Sequence, residues 1–153
     1  MELLEEHPDA RYIHAQVFTL KVVEELDGEL FERFKELVRQ GRIEIDSGQI
    51  VEPDYNIPCG ESIVRQFLYG QRYIKRHFGG YARICINSDS FGHCRSLPQI
   101  LKKSGINAFF FKRPVQSVAD LPETPFIWKG IDGTTINALR FTNKGRGLPR
   151  LSS

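Results

Sequence analysis

Short apolar segments with strand character alternate along this chain with amphipathic segments, and this alternation restricts its fold more than any other feature. The strand-like runs are residues 12–18, 42–47, 82–87 and 107–112. The amphipathic segments between them are residues 29–40, 61–78 and 97–104. Strands that alternate with helices of this length favour βαβ units, with parallel strands and right-handed crossovers. The pattern predicts an α/β fold with the order β-α-β-α-β-α-β.

The longest predicted helix, residues 61–78, has a clear apolar stripe with the period of an α-helix. Its spacing predicts burial of Ile63, Val64, Phe67, Leu68 and Ile74. The same spacing places Gln71 among the side chains that face water. After the last parallel strand, residues 126–128 and 135–141 are predicted to form a later extended pair.

The length of the chain limits how much of a barrel it can form. A closed β/α barrel typically needs roughly 250 residues, whereas this chain has 153. We therefore expect one domain over residues 1–142 that amounts to about half of a barrel. Residues 143–153, NKGRGLPRLSS, are basic, contain Gly and Pro and have no periodicity, so they are predicted to be an irregular tail.

Two residues are candidates for a functional site because each directly follows a predicted strand. Asp89 follows the strand at 82–87, and Arg113 follows the strand at 107–112. Reactive side chains gather at the C-terminal ends of strands in parallel α/β folds, and a guanidinium can donate paired hydrogen bonds to a carboxylate. The alternatives are that Asp89 caps a helix or a turn and that Arg113 is simply solvated.

Several longer strings resemble one known family. They are YIHAQ at residues 12–16, VEPDYNIPCGESIVRQFLYGQRY at 51–73, DSFGH at 89–93 and LPQILKKSG at 97–105. Together they resemble the catalytic domain of glycoside hydrolase family 38, the α-mannosidases. The likeness runs from about residue 12 to residue 141, and the motifs occur in the family's order. We therefore expect this chain to be part of such a domain.

The resemblance implies a fold, an activity and a cofactor. It implies part of a seven-stranded β/α barrel, and a retaining, zinc-dependent hydrolysis of terminal α-linked mannose in oligosaccharides, which needs two carboxyl groups. By the same resemblance Asp89 is the nucleophile and one zinc ligand, Phe91 offers its ring to the sugar beside the metal, and Arg113 orients the nucleophile or contacts the substrate. For Phe91, packing in the core is the alternative.

Parts of the family's machinery are not found in this sequence. The metal site of the family needs a His-x-Asp pair after the first barrel strand and a distant His, and the acid/base carboxylate would fall beyond Ser153. His7 and Asp9 have the required spacing, but no apolar strand precedes them, so we do not expect them to bind zinc. The isolated chain is therefore expected to be inactive. The alternative function is an inactive carbohydrate-binding fragment or a pseudoenzyme.

Other polar residues near these motifs are expected to be structural. His93 is predicted to bond within the Asp89 loop, and His14 is predicted to be a satisfied strand histidine. Glu52 is expected to serve the scaffold, with a supporting role beside the site as the alternative, and Asp54 is expected to form a turn. A nucleotide-binding domain is disfavoured because neither GxGxxG nor GxxxxGK[ST] occurs.

Composition narrows the class of protein further. The net charge of +2 is too small to indicate a nucleic-acid or membrane partner. Three cysteines without CxxC spacing do not indicate a disulfide framework, and the N-terminal segment is polar, so a cytoplasmic location is predicted. An open barrel leaves strand edges unpaired, and we therefore expect either poor solubility or homo-oligomers if this chain is produced alone.

Overall fold

The computed structural model describes residues 2–114, 119–122 and 124–141. The helices are α1 (Glu2–Glu6), α2 (Val17–Leu26), α3 (Gly28–Arg39), α4 (Gly60–Phe78) and α5 (Leu97–Lys103). The strands are β1 (Tyr12–His14), β2 (Ile43–Ile45), β3 (Ile84–Asn87), β4 (Ala108–Phe111), β5 (Phe126–Lys129) and β6 (Thr135–Arg140). Helices and strands thus alternate through most of the described chain.

The strands form two sheets that are joined through one serine. In the smaller sheet β1 pairs with β2 in parallel, and in the larger sheet the order is β3-β4-β6-β5, with β3, β4 and β6 parallel and β5 antiparallel to β6. Ser47 follows β2, and its amide donates to the Ile84 carbonyl at 2.7 Å. Its Oγ also donates to the Ile86 carbonyl and accepts from the Ile86 amide, both at 2.9 Å. Ser47 therefore continues the pairing from β2 to β3.

The predicted α/β class with parallel strands is confirmed, while the predicted order of elements is incomplete. The segment predicted as strand 12–18 is only three residues of strand, after which the chain enters the unpredicted helix α2. The late extended pair is confirmed as the antiparallel hairpin of β5 and β6. The described residues contain six strands, so a seven-stranded barrel is not confirmed.

Helix α4 buries a different stripe from the one predicted. Ile63, Phe67 and Ile74 are buried, but Val64 and Leu68 remain 40% and 45% exposed, while Gln71 is only 6% exposed. The reason is that the side-chain amide of Gln71 supplies hydrogen-bond partners for the backbone amide and carbonyl of Ala82. Its Nε2 donates to the Ala82 carbonyl at 2.9 Å, and its Oε1 accepts from the Ala82 amide at 3.0 Å. The orientation of this helix therefore reflects the hydrogen bonds of Gln71 as well as the burial of Ile63, Phe67 and Ile74.

Two apolar clusters hold the elements together. The larger lies around α4, α5 and the main sheet, and its fully buried members include Phe67, Leu101 and Phe109. The smaller lies among α2, α3 and β2, and includes Phe31 and Phe34 from the amphipathic segment predicted at residues 29–40. Because the two clusters share partly buried neighbours such as Tyr73 and Phe78, the β1–β2 pair and the main sheet pack as neighbours.

Cys59, Cys85 and Cys94 are all free thiols. Across residues 2–114, 119–122 and 124–141, no helix combines the length and apolarity needed to cross a membrane. The predicted tail at residues 143–153 lies outside the described residues, and the proposed division of the chain at residue 142 stays a prediction.

Candidate active site

The C-terminal ends of three parallel strands meet at one open depression of about 420 Å³. Gln16, which follows β1, lines this depression together with Glu52 from the loop after β2. Asp89 and Phe91, which follow β3, complete the opposite side. Parallel strands bring their carboxyl ends to one edge, and here that edge carries both predicted and unpredicted polar residues.

Asp89 and Arg113 are brought together as a charged pair at this edge. Arg113 Nε donates to Asp89 Oδ1 at 2.8 Å, while the Asp89 side chain remains 72% exposed. The backbone amide of Asp89 donates to Glu52 Oε1 at 2.8 Å. Asp89 is therefore held at two points, by a cation at its carboxylate and by a carboxylate at its amide, and its carboxyl group still faces the depression.

Phe91 lies on the surface and stacks against the arginine of this pair. Its ring is 71% exposed, which is incompatible with the alternative of core packing. The guanidinium carbon of Arg113 lies 4.5 Å from the ring centroid, a cation–π geometry. Arg113 thus contacts both Asp89 and Phe91, and the exposed ring has an apolar face that could contact a sugar. Substrate binding by Phe91 and Arg113 stays a prediction.

His93 bonds to the neighbouring strand end and not to Asp89 itself. Its Nε2 lies 2.8 Å from the Arg113 carbonyl oxygen, and burial lowers the pKa of the imidazole despite that hydrogen bond. His14 is also satisfied within the protein, because its Nε2 lies 2.8 Å from the Gln16 carbonyl oxygen. His14 is thus the satisfied strand histidine that the sequence predicts, whereas His93 has a structural contact to the end of β4 and not the predicted bond within the Asp89 loop.

The loop before α4 contains one expected contact and one that was not specified. Asp54 Oδ1 accepts from the Asn56 amide at 3.1 Å, which is the predicted turn. Glu52 lines the depression and accepts from the Asp89 amide, so its contact matches the alternative of a supporting role beside the site more closely than the expected scaffold role. No sequence signal could have identified this partner, because the two residues are separated by 37 positions.

A buried carboxyl that the sequence interpretation missed lies at the end of β2. Asp46 is 4% exposed, and burial raises the pKa of its carboxyl to about 7, with a smaller contribution from the like charge of Glu44. Asp46 follows a strand as directly as Asp89 does. The strand-end rule that selected Asp89 did not select Asp46, because the predicted strand ran from residue 42 to residue 47 whereas β2 ends at Ile45.

His7 and Asp9 lie at the other end of the strands. They precede β1, whereas the residues that line the depression follow the strands. Both are exposed, and the His7 carbonyl accepts from the Arg42 guanidinium at 2.8 Å. His7 and Asp9 thus do not line the depression that contains Asp89, and the expectation that they do not bind zinc stays a prediction.

The donor atoms near Asp89 do not make up a complete zinc site. Within the part of the chain that the structure describes, no three His, Cys, Asp or Glu side chains are grouped so that they could hold a metal ion. Zinc in proteins is usually held by three or four protein ligands. Asp89 would therefore supply one ligand at most, and the zinc predicted from the resemblance does not fit these residues alone.

Comparison with known proteins agrees with the resemblance. Residues 1–146 match the family described as glycosyl hydrolases family 38 N-terminal domain. Alpha-mannosidase G of Dictyostelium discoideum is 36% identical over 131 residues, which cover 85% of this chain and 12% of that protein. Alpha-mannosidase of Saccharomyces cerevisiae is 32% identical over 136 residues, covering 88% of this chain and 13% of that protein. The chain thus spans about an eighth of the length of these relatives.

Solved structures share the fold at lower sequence identity. An alpha-mannosidase from Enterococcus faecalis V583 superposes with a TM-score of 0.78 at 24% identity, covering 92% of this chain and 16% of that structure. A 4-alpha-glucanotransferase from Thermococcus litoralis gives 0.76 at 20% identity, covering 94% of this chain and 23% of that structure. At these identities the similarity extends to the fold alone.

Proposed function

Because the chain belongs to glycosyl hydrolase family 38, we propose that it is the part of a retaining α-mannosidase that carries the nucleophile, Asp89. The substrate class would be oligosaccharides with terminal α-linked mannose. The observation that carries the proposal is the Asp89–Arg113 pair at the C-terminal edge of the parallel strands, where the carboxylate is oriented and still exposed. The relatives' own names as α-mannosidases support the substrate class.

In this mechanism the Asp89 carboxylate attacks the anomeric carbon while the glycosidic C–O bond breaks and the leaving oligosaccharide takes a proton on its oxygen. Water then hydrolyses the covalent glycosyl-enzyme, which releases the sugar and regenerates the carboxylate. A second carboxyl, about 5 Å away in retaining enzymes, acts first as acid and then as base. We assign no residue of this chain to that role. Arg113 orients one oxygen of Asp89, and the exposed ring of Phe91 offers an apolar face to the sugar.

Zinc remains part of the proposal for the complete enzyme. Asp89 would be one ligand, and the other ligands would come from outside the described residues of this chain. When bound, zinc would hold adjacent sugar hydroxyls and supply Lewis-acid polarisation. The attack by Asp89 and the orientation of the Asp89 carboxylate by Arg113 do not involve zinc.

A second candidate function for the isolated chain is sugar binding without hydrolysis. It is favoured by the same edge, which presents an exposed ring and a guanidinium but, among the described residues, no group of side chains that could hold a metal. Purified residues 1–153 should therefore not release nitrophenol from a nitrophenyl α-mannoside. Turnover that Asp89→Asn abolishes would show that the chain is catalytically complete.

A chimera tests the proposed nucleophile in a complete catalytic domain. Residues 12–141 of this chain would replace the matching segment of alpha-mannosidase G from Dictyostelium discoideum, and hydrolysis of a nitrophenyl α-mannoside would be measured. We expect Asp89→Asn to lower kcat at least about 1,000-fold, because the covalent step loses its nucleophile. The same substitution would also prevent labelling of the Asp89 peptide by a fluorinated mannoside that traps the glycosyl-enzyme.

A matched control is to introduce the mutation Glu44→Gln in the same chimera. Glu44 is an exposed carboxylate on β2 that does not line the depression, so its loss should leave kcat within about twofold. The proposal fails if a labelled peptide other than that of Asp89 is recovered, or if Asp89→Asn and Glu44→Gln have equal effects in a folded chimera.

A further inference from the structure

The ring of His93 is enclosed by aromatic side chains beneath the candidate active site. Its centroid lies 5.0 Å from that of Phe109 and 5.1 Å from that of Phe111, both in edge-to-face geometry. Tyr55 and Trp128 approach at 5.9 and 6.2 Å. These rings come from the loop before α4 and from strands β4 and β5, so they fix the position of the imidazole within the core.

The hydrogen bond of His93 defines which nitrogen carries its proton. Nε2 lies 2.8 Å from the Arg113 carbonyl oxygen, which can only accept, so the proton is on Nε2. Nδ1 is buried and has no hydrogen-bond partner within residues 2–114, 119–122 and 124–141. Protonation of Nδ1 would create a second N–H donor that no acceptor among the described residues satisfies, and burial separately lowers the pKa of His93. His93 is therefore a neutral, single donor.

Arg113 connects this fixed donor to Asp89. Its carbonyl oxygen accepts from His93, and its own Nε donates to Asp89 Oδ1 at 2.8 Å. We propose that His93 is a positioning residue for Asp89, acting through the main chain of Arg113. The proposal rests on the proposed role of Asp89 as the nucleophile. His93 itself contacts neither the carboxylate nor the depression.

The Asp89–Arg113 pair needs such an anchor because the side chains of both residues are partly solvated. The Arg113 side chain is 36% exposed and the Asp89 side chain 72% exposed, and an exposed ion pair does little to restrict two mobile side chains. Arginine also loses much rotamer freedom when it is fixed. Securing the Arg113 backbone to a ring that is packed among aromatic side chains reduces the range of positions that its guanidinium can reach.

Asp89 has a second contact, which allows an effect of His93 on Arg113 to be distinguished from a general loosening of the loop. The Asp89 amide donates to Glu52 Oε1, a contact that does not involve His93 or Arg113. If His93 acts only through Arg113, its substitution should disturb the Arg113 side chain and leave the Asp89 amide bonded to Glu52. A purely structural role would disturb both contacts together.

Nuclear magnetic resonance on residues 1–153 tests this assignment without requiring activity. Long-range proton–nitrogen correlation of the unsubstituted chain should show His93 as the Nε2–H tautomer. The Arg113 Nε–H signal should exchange about tenfold faster with water in His93→Phe, which keeps a ring but removes the donor. In His93→Gln, whose Nε2–H₂ can donate from nearly the same place, exchange should return close to the original rate. The Asp89 amide signal should persist in both variants.

Three results would overturn the proposal. They are an Nδ1–H tautomer in the unsubstituted chain, an unchanged Arg113 Nε–H exchange rate in His93→Phe, and an effect of His93→Phe that is matched by His93→Gln or accompanied by loss of the Asp89 amide signal. The tautomer measurement requires no variant, so the proposal can still be overturned even if His93→Phe does not fold. None of these readouts depends on hydrolysis. Failure of the chimera with intact Arg113 exchange behaviour would therefore count against the proposed function and not against the contact network.

Discussion

The ends of β2 and β3 carry the same chemical group in opposite surroundings. Each strand ends directly before or near an aspartate, Asp46 after β2 and Asp89 after β3. Asp46 is 4% exposed, whereas the side chain of Asp89 is 72% exposed and paired with Arg113. The strand-end position brings a carboxyl to the edge of the sheet, but it does not determine whether that carboxyl meets water, a cation or the protein interior.

The backbone around each aspartate explains the difference. The Asp46 amide donates to the His14 carbonyl at 2.9 Å, and the next residue, Ser47, is bonded to β3. The end of β2 is therefore held between two neighbouring strands and covered. The Asp89 amide is bonded to a side chain, Glu52, in a loop that opens to the depression. A carboxyl in the covered position is desolvated, and one in the open position is available to a substrate.

The largest effect that follows from this comparison is a pH-dependent cost of burying Asp46. Its folded pKa of about 7 lies above the ordinary value of 3.8, so the folded state keeps the proton that the unfolded state loses. The free energy of unfolding should therefore fall as pH rises from about 4 to about 7, by up to about 4 kcal/mol. Asp46→Asn removes this term, so its stability relative to the unsubstituted chain should rise over the same interval.

Urea denaturation at a series of pH values measures this difference. Histidines with lowered pKa values also change stability with pH, and subtracting the unsubstituted curve from the Asp46→Asn curve removes their contribution. Glu44→Gln is the control, because the charge of Glu44 is the smaller cause of the raised pKa and its removal should relieve only a minor part. A difference curve that is flat between pH 4 and pH 8 would contradict the burial of Asp46.

The next largest effect concerns the packing behind each strand end. Gly70 of α4 touches the backbone after β2, where an added Cβ would lie 2.8 Å from the Gly48 carbonyl carbon and 2.9 Å from that of Gln49. Gly92 lies in the Asp89 loop, where an added Cβ would meet the movable side-chain amide of Asn56. Gly70→Ala should cost about 2–3 kcal/mol despite the better helix propensity of Ala, because backbone atoms must shift.

Gly92→Ala is the matched substitution at the open end, and we expect it to cost less than about 1 kcal/mol because Asn56 can rotate. Both variants would be compared by the midpoint of urea denaturation at unchanged slope. Equal losses at the two glycines would show that the Asp89 loop is as tightly packed as the end of β2.

Local signals in the sequence predicted most elements of the fold. The apolar stripe of α3, the strands β3 and β4, and the placement of Asp89 and Arg113 after them all follow from periodicity and from the geometry of parallel sheets. Helix α2 was missed because its first turn continues an apolar run that also suits a strand, with Val17 buried and Phe18 exposed. Short apolar runs do not distinguish these two structures.

The features that remained hidden depend on contacts between distant residues. From the sequence Gln71 is predicted to be a polar surface residue, and only its hydrogen bonds to Ala82 explain its burial. Ser47 is likewise predicted to be a loop residue, and only its hydrogen bond to β3 explains its role. The same limit applies to the pairing of Glu52 with the Asp89 amide. Each case is a polar side chain that satisfies backbone groups far away in sequence, and hydropathy does not report such partners.

The smallest expected effect is the stability contributed by the Asp89–Arg113 pair. Both side chains are at least a third exposed, so a double-mutant cycle of Asp89→Asn and Arg113→Gln should give a coupling energy of about 0.2–1 kcal/mol by urea denaturation. Because the pair contributes so little to the free energy of unfolding, its place at the open edge is explained by the chemistry of the site and not by stability. A coupling above about 2 kcal/mol would place Asp89 among the buried, structural carboxyls, and the contrast with Asp46 would no longer hold.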